Sequence, residues 1–223
     1  MRLLRSLCLL PALILAADLF AKPAAAQVHV SAPTIDHRTF PVGQPPMHAR
    51  GIDKGEAGLC HTQITCEVGV SGDAPSVALH DDKATLSSVS FSISATITIW
   101  LQDGYTPGMK DHEETHRAIS EHYYAKAYAV AHRLAEEAIA QKLPLTGHPK
   151  EQALDRVLTQ LQAHLVDEFM RQIDQRSEFA QERFDAITDH GRKEMTNADA
   201  LAQALREETE HWKSQATEPA KLN

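Results

Sequence analysis

A strictly alternating segment constrains the fold of this chain more than any other feature. From Val89 to Leu101, apolar side chains occupy every second position, and all but one of the residues between them carry a hydroxyl group. Such period-two alternation is typical of a β-strand with one face against a core and the other towards solvent. The chain must therefore build a sheet, and other segments must cover its apolar face.

The rest of the N-terminal part is predicted to add strands to this one. A second strand is expected near Thr62–Val70, where apolar side chains again share a face, and an edge strand near Thr34–Val42. Between the two longer strands, Gly69–Thr85 carries turn residues at Ser71–Asp73. This pattern favours a hairpin and hence an antiparallel strand pair.

Helices are predicted to follow the strands. Residues 109–143 contain neither glycine nor proline, which predicts one continuous helix to about Lys142. A second helix is expected over 150–189, ending before Gly191, and a third over 197–214. Because the connection after Lys142 is short, the first two helices should form an antiparallel hairpin.

Together these elements predict an α+β fold. A small N-terminal antiparallel β-sheet is followed by a long α-helical hairpin and a third C-terminal helix. We expect a single domain over residues 27–216, with its β part at about 27–105 and its helical part at about 108–216. A flexible tail is expected at 217–223.

The first 26 residues have the pattern of a secretory signal peptide. Arg2 and Arg5 precede an apolar stretch from Leu7 to Ala17, and Ala24–Ala26 supplies the small residues of a cleavage site. The stretch is shorter than the roughly 20 residues that span a bilayer, which disfavours the alternative of an uncleaved anchor. We therefore expect a periplasmic or secreted protein with no stable membrane span after cleavage.

The exported chain is expected to be acidic. Removal of residues 1–26 takes away three basic side chains and one acidic one, which changes the net charge from −8 to −10 with histidine neutral. This charge disfavours nucleic acid and anionic membranes as partners.

The remaining cysteines, Cys60 and Cys66, are even in number and favour a disulfide in an oxidising compartment. As an alternative pair of zinc ligands they lack the usual C-x2-C spacing.

An H-E-x-x-H motif, residues 112–116, lies on the first predicted helix. Residues four apart share a helical face, so His112 and His116 can bind one Zn²⁺ ion. Glu113 lies about 100° round the helix, where it can act as general base towards a metal-activated water. The histidine pair shares its side of the helix with Ile119, so it is predicted to face the core. The alternative is a pair of buried histidines that binds no metal.

The motif leaves the third ligand open. His122 stands where a metzincin has its last histidine, but on a continuous helix it is about 9 Å further along the axis than His116, so it is a second-shell candidate. A hairpin brings the end of the second helix beside the motif. This gives five candidates: Glu178, Glu182, Asp185, Asp189 and His190. His190 is favoured because neutral imidazole is a common zinc ligand, with Asp185 and Asp189 as second-shell candidates. Alternatively, His190 only caps the helix.

The H-E-x-x-H helix and the later segment at residues 183–191 resemble the bacterial domain of unknown function 922, a family of predicted secreted zinc-dependent proteases. Its members carry a later segment similar to Y-D-x-x-T-x-H-G. Phe184 stands at the tyrosine position, and four residues match: Asp185, Thr188, His190 and Gly191. The resemblance covers most of residues 34–195. It implies a site formed by His112, Glu113, His116 and His190.

The predicted function is that of an exported zinc metallohydrolase with a zincin-like site, a peptidase that acts on a peptide or protein substrate. By analogy with zincins, the strand Val89–Leu101 is expected to form the upper rim of the cleft, where an extended peptide could pair with it. One rival is a non-catalytic periplasmic helical interaction protein in which zinc is structural. A hydrolase of cell-wall amides is a third candidate, which the sequence does not separate from a peptidase.

Overall fold

The structure, a computed structural model, describes residues 24–44, 57–74 and 83–217. The predicted signal peptide as far as residue 23, and the predicted tail from residue 218, lie outside the described residues. Within the described part of the chain, no helix is both long and apolar enough to cross a membrane.

The described residues form strands first and helices afterwards, apart from one short strand between helices. The strands are β1 (Ala25–Val30), β2 (Thr34–Phe40), β3 (Gly58–Asp73), β4 (Lys83–Gln102) and β5 (Lys142–Pro144). The helices are α1 (Pro107–Tyr124), α2 (Ala127–Ile139), α3 (Lys150–Thr188) and α4 (Asn197–Thr217). This order confirms the prediction of a mixed fold with an N-terminal sheet and helices that follow it.

The sheet is built around β4, and its pairing corrects the prediction of a small antiparallel sheet. Along one edge of β4, β3 runs antiparallel, with Cys60 opposite Ile99. Along the other edge, β1 and β2 run parallel to β4. The short strand β5 pairs antiparallel with the first residues of β4. The sheet is therefore mixed and five-stranded. The predicted turn residues Ser71–Asp73 belong to β3 instead, because the pairing with β4 extends as far as Asp73.

The two faces of β4 behave as the alternation predicted. Its apolar residues from Val89 to Leu101 are all buried, and its serine and threonine residues face outwards. Helices α1, α2 and α3 cover the apolar face, and α4 packs against α3 on the side away from the sheet. However, β4 has partners along both edges, so the prediction that it forms an open rim for a peptide was wrong.

The first predicted helix is interrupted, which corrects the prediction of one continuous helix to residue 142. Helix α1 ends at Tyr124 and α2 begins at Ala127. The Tyr124 hydroxyl donates to the backbone oxygens of Ser31 and Ile93, which ties the end of α1 to the sheet. Helix α2 then packs on β1 and β4, and β5 follows it. The predicted bounds of the two later helices are confirmed to within a few residues.

The predicted disulfide between Cys60 and Cys66 is not formed. Both thiols are free and both residues lie on β3, six positions apart. An extended strand separates such Cα atoms by about 20 Å, whereas a disulfide requires a Cα–Cα distance of about 4.4–6.8 Å. Burial raises the pKa of Cys66 to about 12. For Cys60, burial and then the charge of Glu113 raise the pKa of the thiol.

Candidate metal centre and active site

The start of α1 places the H-E-x-x-H residues against the sheet. The Thr106 hydroxyl accepts a hydrogen bond from the backbone N–H of Met109, and Pro107 occupies the first turn, so the helix begins at a defined residue. His112, Glu113 and His116 follow on the inner face and are only 4–6% exposed. The prediction that the motif faces the core is confirmed.

A third side chain, Asp185 of α3, meets the two imidazoles. The Nε2 atoms of His112 and His116 are 3.3 Å apart. Asp185 Oδ1 lies 3.1 Å from the first and 2.9 Å from the second. Among the described residues, these three form the group of imidazole and carboxylate side chains that is close enough to hold one metal ion.

The spacing of these three atoms fits a small divalent ion. With Zn–N distances of about 2.0–2.1 Å, tetrahedral ligands are about 3.3 Å apart, close to the distances found here. Without a cation, both Nε2 atoms would have to carry a proton in order to donate to Asp185. The two N–H groups would then lie against each other, because the Nε2 atoms are 3.3 Å apart. A metal in place of the two protons would remove that conflict and use one lone pair from each residue. The donor set of two imidazoles and one carboxylate is one that zinc accepts.

The carboxylate also controls the electrostatics of the group. Burial raises the pKa of Asp185, but hydrogen bonds from His112 and His116 outweigh it and hold the pKa of that carboxyl well below its usual range. For His116, burial lowers the pKa, but the hydrogen bond and charge of Asp185 outweigh burial, so the pKa is raised. The three side chains therefore form one coupled unit.

Aromatic packing from α3 fixes the two imidazole rings. Phe184, which is fully buried, stacks on the His112 ring at a centroid distance of 4.9 Å and contacts the His116 ring edge-on at 5.1 Å. A Cβ atom at Gly191 would lie 3.4 Å from His112 Nδ1, so the backbone of this turn lies close to the ring. Phe184 thus contacts both imidazoles, whereas Gly191 lies beside that of His112.

Glu113 occupies a space that Gly58 leaves open. Gly58 is the first residue of β3, and a Cβ atom there would lie 2.6 Å from Glu113 Oε1 and 2.8 Å from Glu113 Cγ. The Glu113 side chain is therefore confined between α1 and the start of β3. Its charge also reaches His116, where it raises the pKa of the imidazole. The carboxylate therefore lies within electrostatic reach of His116.

We expect Gly58→Ala to displace Glu113. Overpacking of a buried site costs about 1–3 kcal/mol, and misplacement of a catalytic group should lower the rate of hydrolysis about tenfold or more. Urea denaturation and peptide hydrolysis measure the two effects, while zinc affinity should stay within about twofold. Gly108→Ala is the control, because a Cβ atom there meets nothing nearer than 3.9 Å. Unchanged stability and rate in Gly58→Ala would contradict the confinement of Glu113.

The H-E-x-x-H residues and Asp185 line one cavity of about 630 Å³. Its walls come from the start of β3, from α1, from the last third of α3 and from the turn at residues 190–192. A chain of polar contacts borders it: Thr62 Oγ1 lies 2.6 Å from Ser120 Oγ, and the Gln181 amide donates to Ser120 and Ser177. This chain connects β3, α1 and α3 beside His116.

The predicted third ligand, His190, lines the same cavity but is not the nearest group. Its Nδ1 atom is 3.9 Å from Asp185 Oδ1, and its side chain is half exposed. The other candidates lie elsewhere. Glu178 and Glu182 line the cavity but do not belong to the close group of possible metal ligands. Asp189 is exposed at the end of α3. His122 is exposed, and its Nε2 lies 3.0 Å from Lys126 Nζ.

Three contributors were not predicted from the sequence. The sequence indicates Phe184 only as a replacement for tyrosine, and it carries no signal for Gly58 or Gln181. A glycine at the start of a strand gives no signal by itself, because the reason for it is a side chain on another element.

The chain was also compared with protein family models, with curated proteins and with solved structures, and none of the three searches found a match.

Proposed function

We propose that this chain is a zinc-dependent metallohydrolase that cleaves peptide bonds. The observation that carries the proposal is the convergence of His112 Nε2, His116 Nε2 and Asp185 Oδ1 within 3.3 Å of one another on the floor of a cavity. Glu113 lies in the same cavity, buried beside the pair. The predicted export to the periplasm or beyond is part of this proposal.

In this proposal His112, His116 and Asp185 hold the ion. Three protein ligands leave one position open, as in catalytic rather than structural zinc sites. Zinc held by these residues would lower the pKa of a bound water molecule to about 7 and would polarise a carbonyl group. The proposal gives Asp185 the place that the sequence favoured for His190, because its oxygen already lies within hydrogen-bonding distance of both imidazoles.

Glu113 supplies the proton transfers in the proposed reaction. Its carboxylate accepts a proton from the attacking water, and the resulting carboxylic acid donates that proton to the nitrogen of the leaving amine. The close approach of the start of β3 would restrict the orientations open to the carboxylate during both transfers. Phe184 keeps the imidazoles in place, so their positions need not be reorganised on substrate binding.

The position of β3 suggests how a peptide enters. Residues 57–62 line the cavity, and among the described residues β3 pairs with β4 alone. An extended substrate could therefore add to the outer edge of β3, which replaces β4 as the predicted rim. The main-chain groups of β3 would then align the scissile bond over the histidine pair.

A structural zinc site is the second candidate function. His190 Nδ1 is 3.9 Å from Asp185 Oδ1, so a change of its rotamer could bring a fourth protein ligand to the ion. Four protein ligands close the coordination shell and are typical of structural zinc. The role of His190 therefore separates an enzyme from a zinc-stabilised interaction protein.

The proposed function is tested on the purified exported protein by metal analysis and peptide hydrolysis. We expect one zinc ion per chain and cleavage of members of a quenched fluorescent peptide library. A chelator should abolish both, and added Zn²⁺ should restore both. Protein that contains no zinc and does not respond to added zinc would refute the proposal. Zinc binding without hydrolysis of any library member would favour the structural alternative.

A further inference from the structure

We propose that Gln181 of α3 is a positioning residue of the metal centre. Its side-chain oxygen accepts a hydrogen bond from Nδ1–H of His116 when zinc is bound at Nε2 of the same ring. This inference rests on the zinc binding of the proposed function, but not on the hydrolysis of a peptide. It adds a residue outside the three side chains that could hold the ion.

The two ring nitrogens of His116 have different surroundings. Nε2 lies 2.9 Å from Asp185 Oδ1, whereas Nδ1 is buried and forms no hydrogen bond within the described part of the chain. A neutral imidazole carries one proton, so an ion at Nε2 requires that proton on Nδ1. Zinc binding therefore creates a buried N–H donor, and such a donor is costly to leave without an acceptor.

Gln181 lies at the level of α1 and α3 where this acceptor is needed. His116 meets Asp185 at one contact between the helices, and Ser120 meets Gln181 at the next. Ser120 is one turn after His116, and Gln181 is one turn before Asp185, so the two pairs lie on facing sides of antiparallel helices. Gln181 also lines the same cavity. Its side chain is thus next to the His116 ring.

The amide of Gln181 turns its oxygen towards this ring. The amide nitrogen lies 3.2 Å from Ser177 Oγ and 3.5 Å from Ser120 Oγ, and both serines are buried. Burial lowers the pKa of His116, but the hydrogen bond and charge of Asp185 outweigh burial, and the Gln181 side chain acts in the same direction as Asp185. A hydrogen-bond acceptor raises the pKa of an imidazole, whereas a donor lowers it. Both observations assign the amide nitrogen to the serines and the oxygen to the imidazole.

The other imidazole has a different neighbour. Nδ1 of His112 is also buried without a hydrogen bond within the described residues, but it lies beside the backbone at Gly191, where a Cβ atom would be 3.4 Å away. A main-chain oxygen is not removed by substitution of a side chain. Only the partner of His116 can therefore be tested by changing one residue.

The first measurement is the affinity for Zn²⁺, by competition with a fluorescent chelator at fixed pH. Gln181→Leu has a similar volume but no acceptor. Partners outside the coordination shell contribute about 10–100-fold to metal affinity, so we expect the Kd for Zn²⁺ to rise about tenfold or more. Gln181→Glu retains an acceptor oxygen and should bind zinc at least as tightly as the wild type. The matched control is Gln175→Leu, an exposed position of α3 outside the cavity, which should change the Kd by no more than about twofold.

The second measurement reads the hydrogen bond itself, because a loss of packing would also weaken zinc binding. In the zinc-loaded, ¹⁵N-labelled protein, Nδ1–H of His116 should give a slowly exchanging proton signal that correlates with its imidazole ring. The signal should be present in the wild type and in Gln181→Glu. In Gln181→Leu it should be lost through exchange with water. Circular dichroism checks that all variants are folded.

The outcomes separate this proposal from the proposed function. If Gln181→Leu loses zinc affinity and the signal, and Gln181→Glu restores both, the positioning role is supported even if the wild type hydrolyses no peptide. If the wild type hydrolyses peptides but Gln181→Leu binds zinc as tightly as the wild type, the function is supported and the positioning role is overturned. A signal that survives in Gln181→Leu, or an affinity that Gln181→Glu does not restore, also overturns it. A wild type that binds no Zn²⁺ overturns both.

Discussion

Glu113→Gln should abolish peptide hydrolysis while the protein keeps its zinc. Glutamine has the shape of glutamate but cannot accept the proton of the attacking water. General acid–base catalysis contributes about 10²–10⁴-fold, so we expect kcat to fall about 10³-fold. Because Glu113 is not one of the three side chains that could hold the proposed ion, zinc affinity should change by no more than about twofold.

The matched control for this substitution is Glu114→Gln on the same helix. Glu114 points away from the cavity and bonds His37 and Arg117, so its substitution should leave kcat within about twofold. Steady-state kinetics with a cleaved peptide, and competition with a fluorescent zinc chelator, measure the two quantities. An activity that survives Glu113→Gln unchanged would refute the assignment of Glu113 as the base, whatever the zinc content.

The parts of the fold that could be predicted are those with a strong local signal. The alternation of β4 and the bounds of α3 follow from side-chain periodicity and from the positions of glycine and proline. The break between α1 and α2 has no such signal, because Ala125 and Lys126 are good helix formers. What the structure shows at this point is a contact distant in sequence, the hydrogen bonds of the Tyr124 hydroxyl with the backbone of Ser31 and Ile93.

The strand pairing could not be predicted for a related reason. The pairing of β1 and β2 with the same edge of β4 depends on the path of the chain, and residues 45–56 between β2 and β3 lie outside the described part. Moreover, β1 begins at Ala25, inside the predicted signal peptide. Cleavage after Ala26 would leave Gln27–Val30 to form the strand. A pattern assigned to export therefore concealed part of the sheet.

The candidate site was predicted in part, and the limit was helix register. The spacing of the motif placed His112 and His116 on one buried face, which the structure confirms. The sequence also placed the end of α3 beside them. However, adjacent positions on a helix differ by about 100° in direction, so an error of one or two residues in the hairpin register changes which side chain meets the imidazoles. The chemistry of imidazole favoured His190, whereas the packing of Phe184 brings in Asp185.

Asp185→Asn and His190→Ala should therefore have unequal effects on zinc. The asparagine keeps the shape of Asp185 but loses the charge that opposes the ion, and we expect the affinity for zinc to fall about 100-fold or more. His190→Ala removes a half-exposed ring 3.9 Å from Asp185 Oδ1. Partners outside the coordination shell contribute about 10–100-fold, and this exposed ring should lie at the low end, about tenfold or less. Competition with a chelator at fixed pH measures both constants.

The comparison decides the number of protein ligands and hence the kind of site. If His190→Ala weakens zinc as strongly as Asp185→Asn, four side chains hold the ion and the coordination shell is closed, which favours the structural alternative. If only Asp185→Asn does so, one coordination position remains open for substrate chemistry. Substitution of Asp189, which is exposed at the end of α3 and does not line the cavity, is the control and should change neither zinc affinity nor hydrolysis. An unchanged affinity in Asp185→Asn would remove the carboxylate from the site and return the third position to His190.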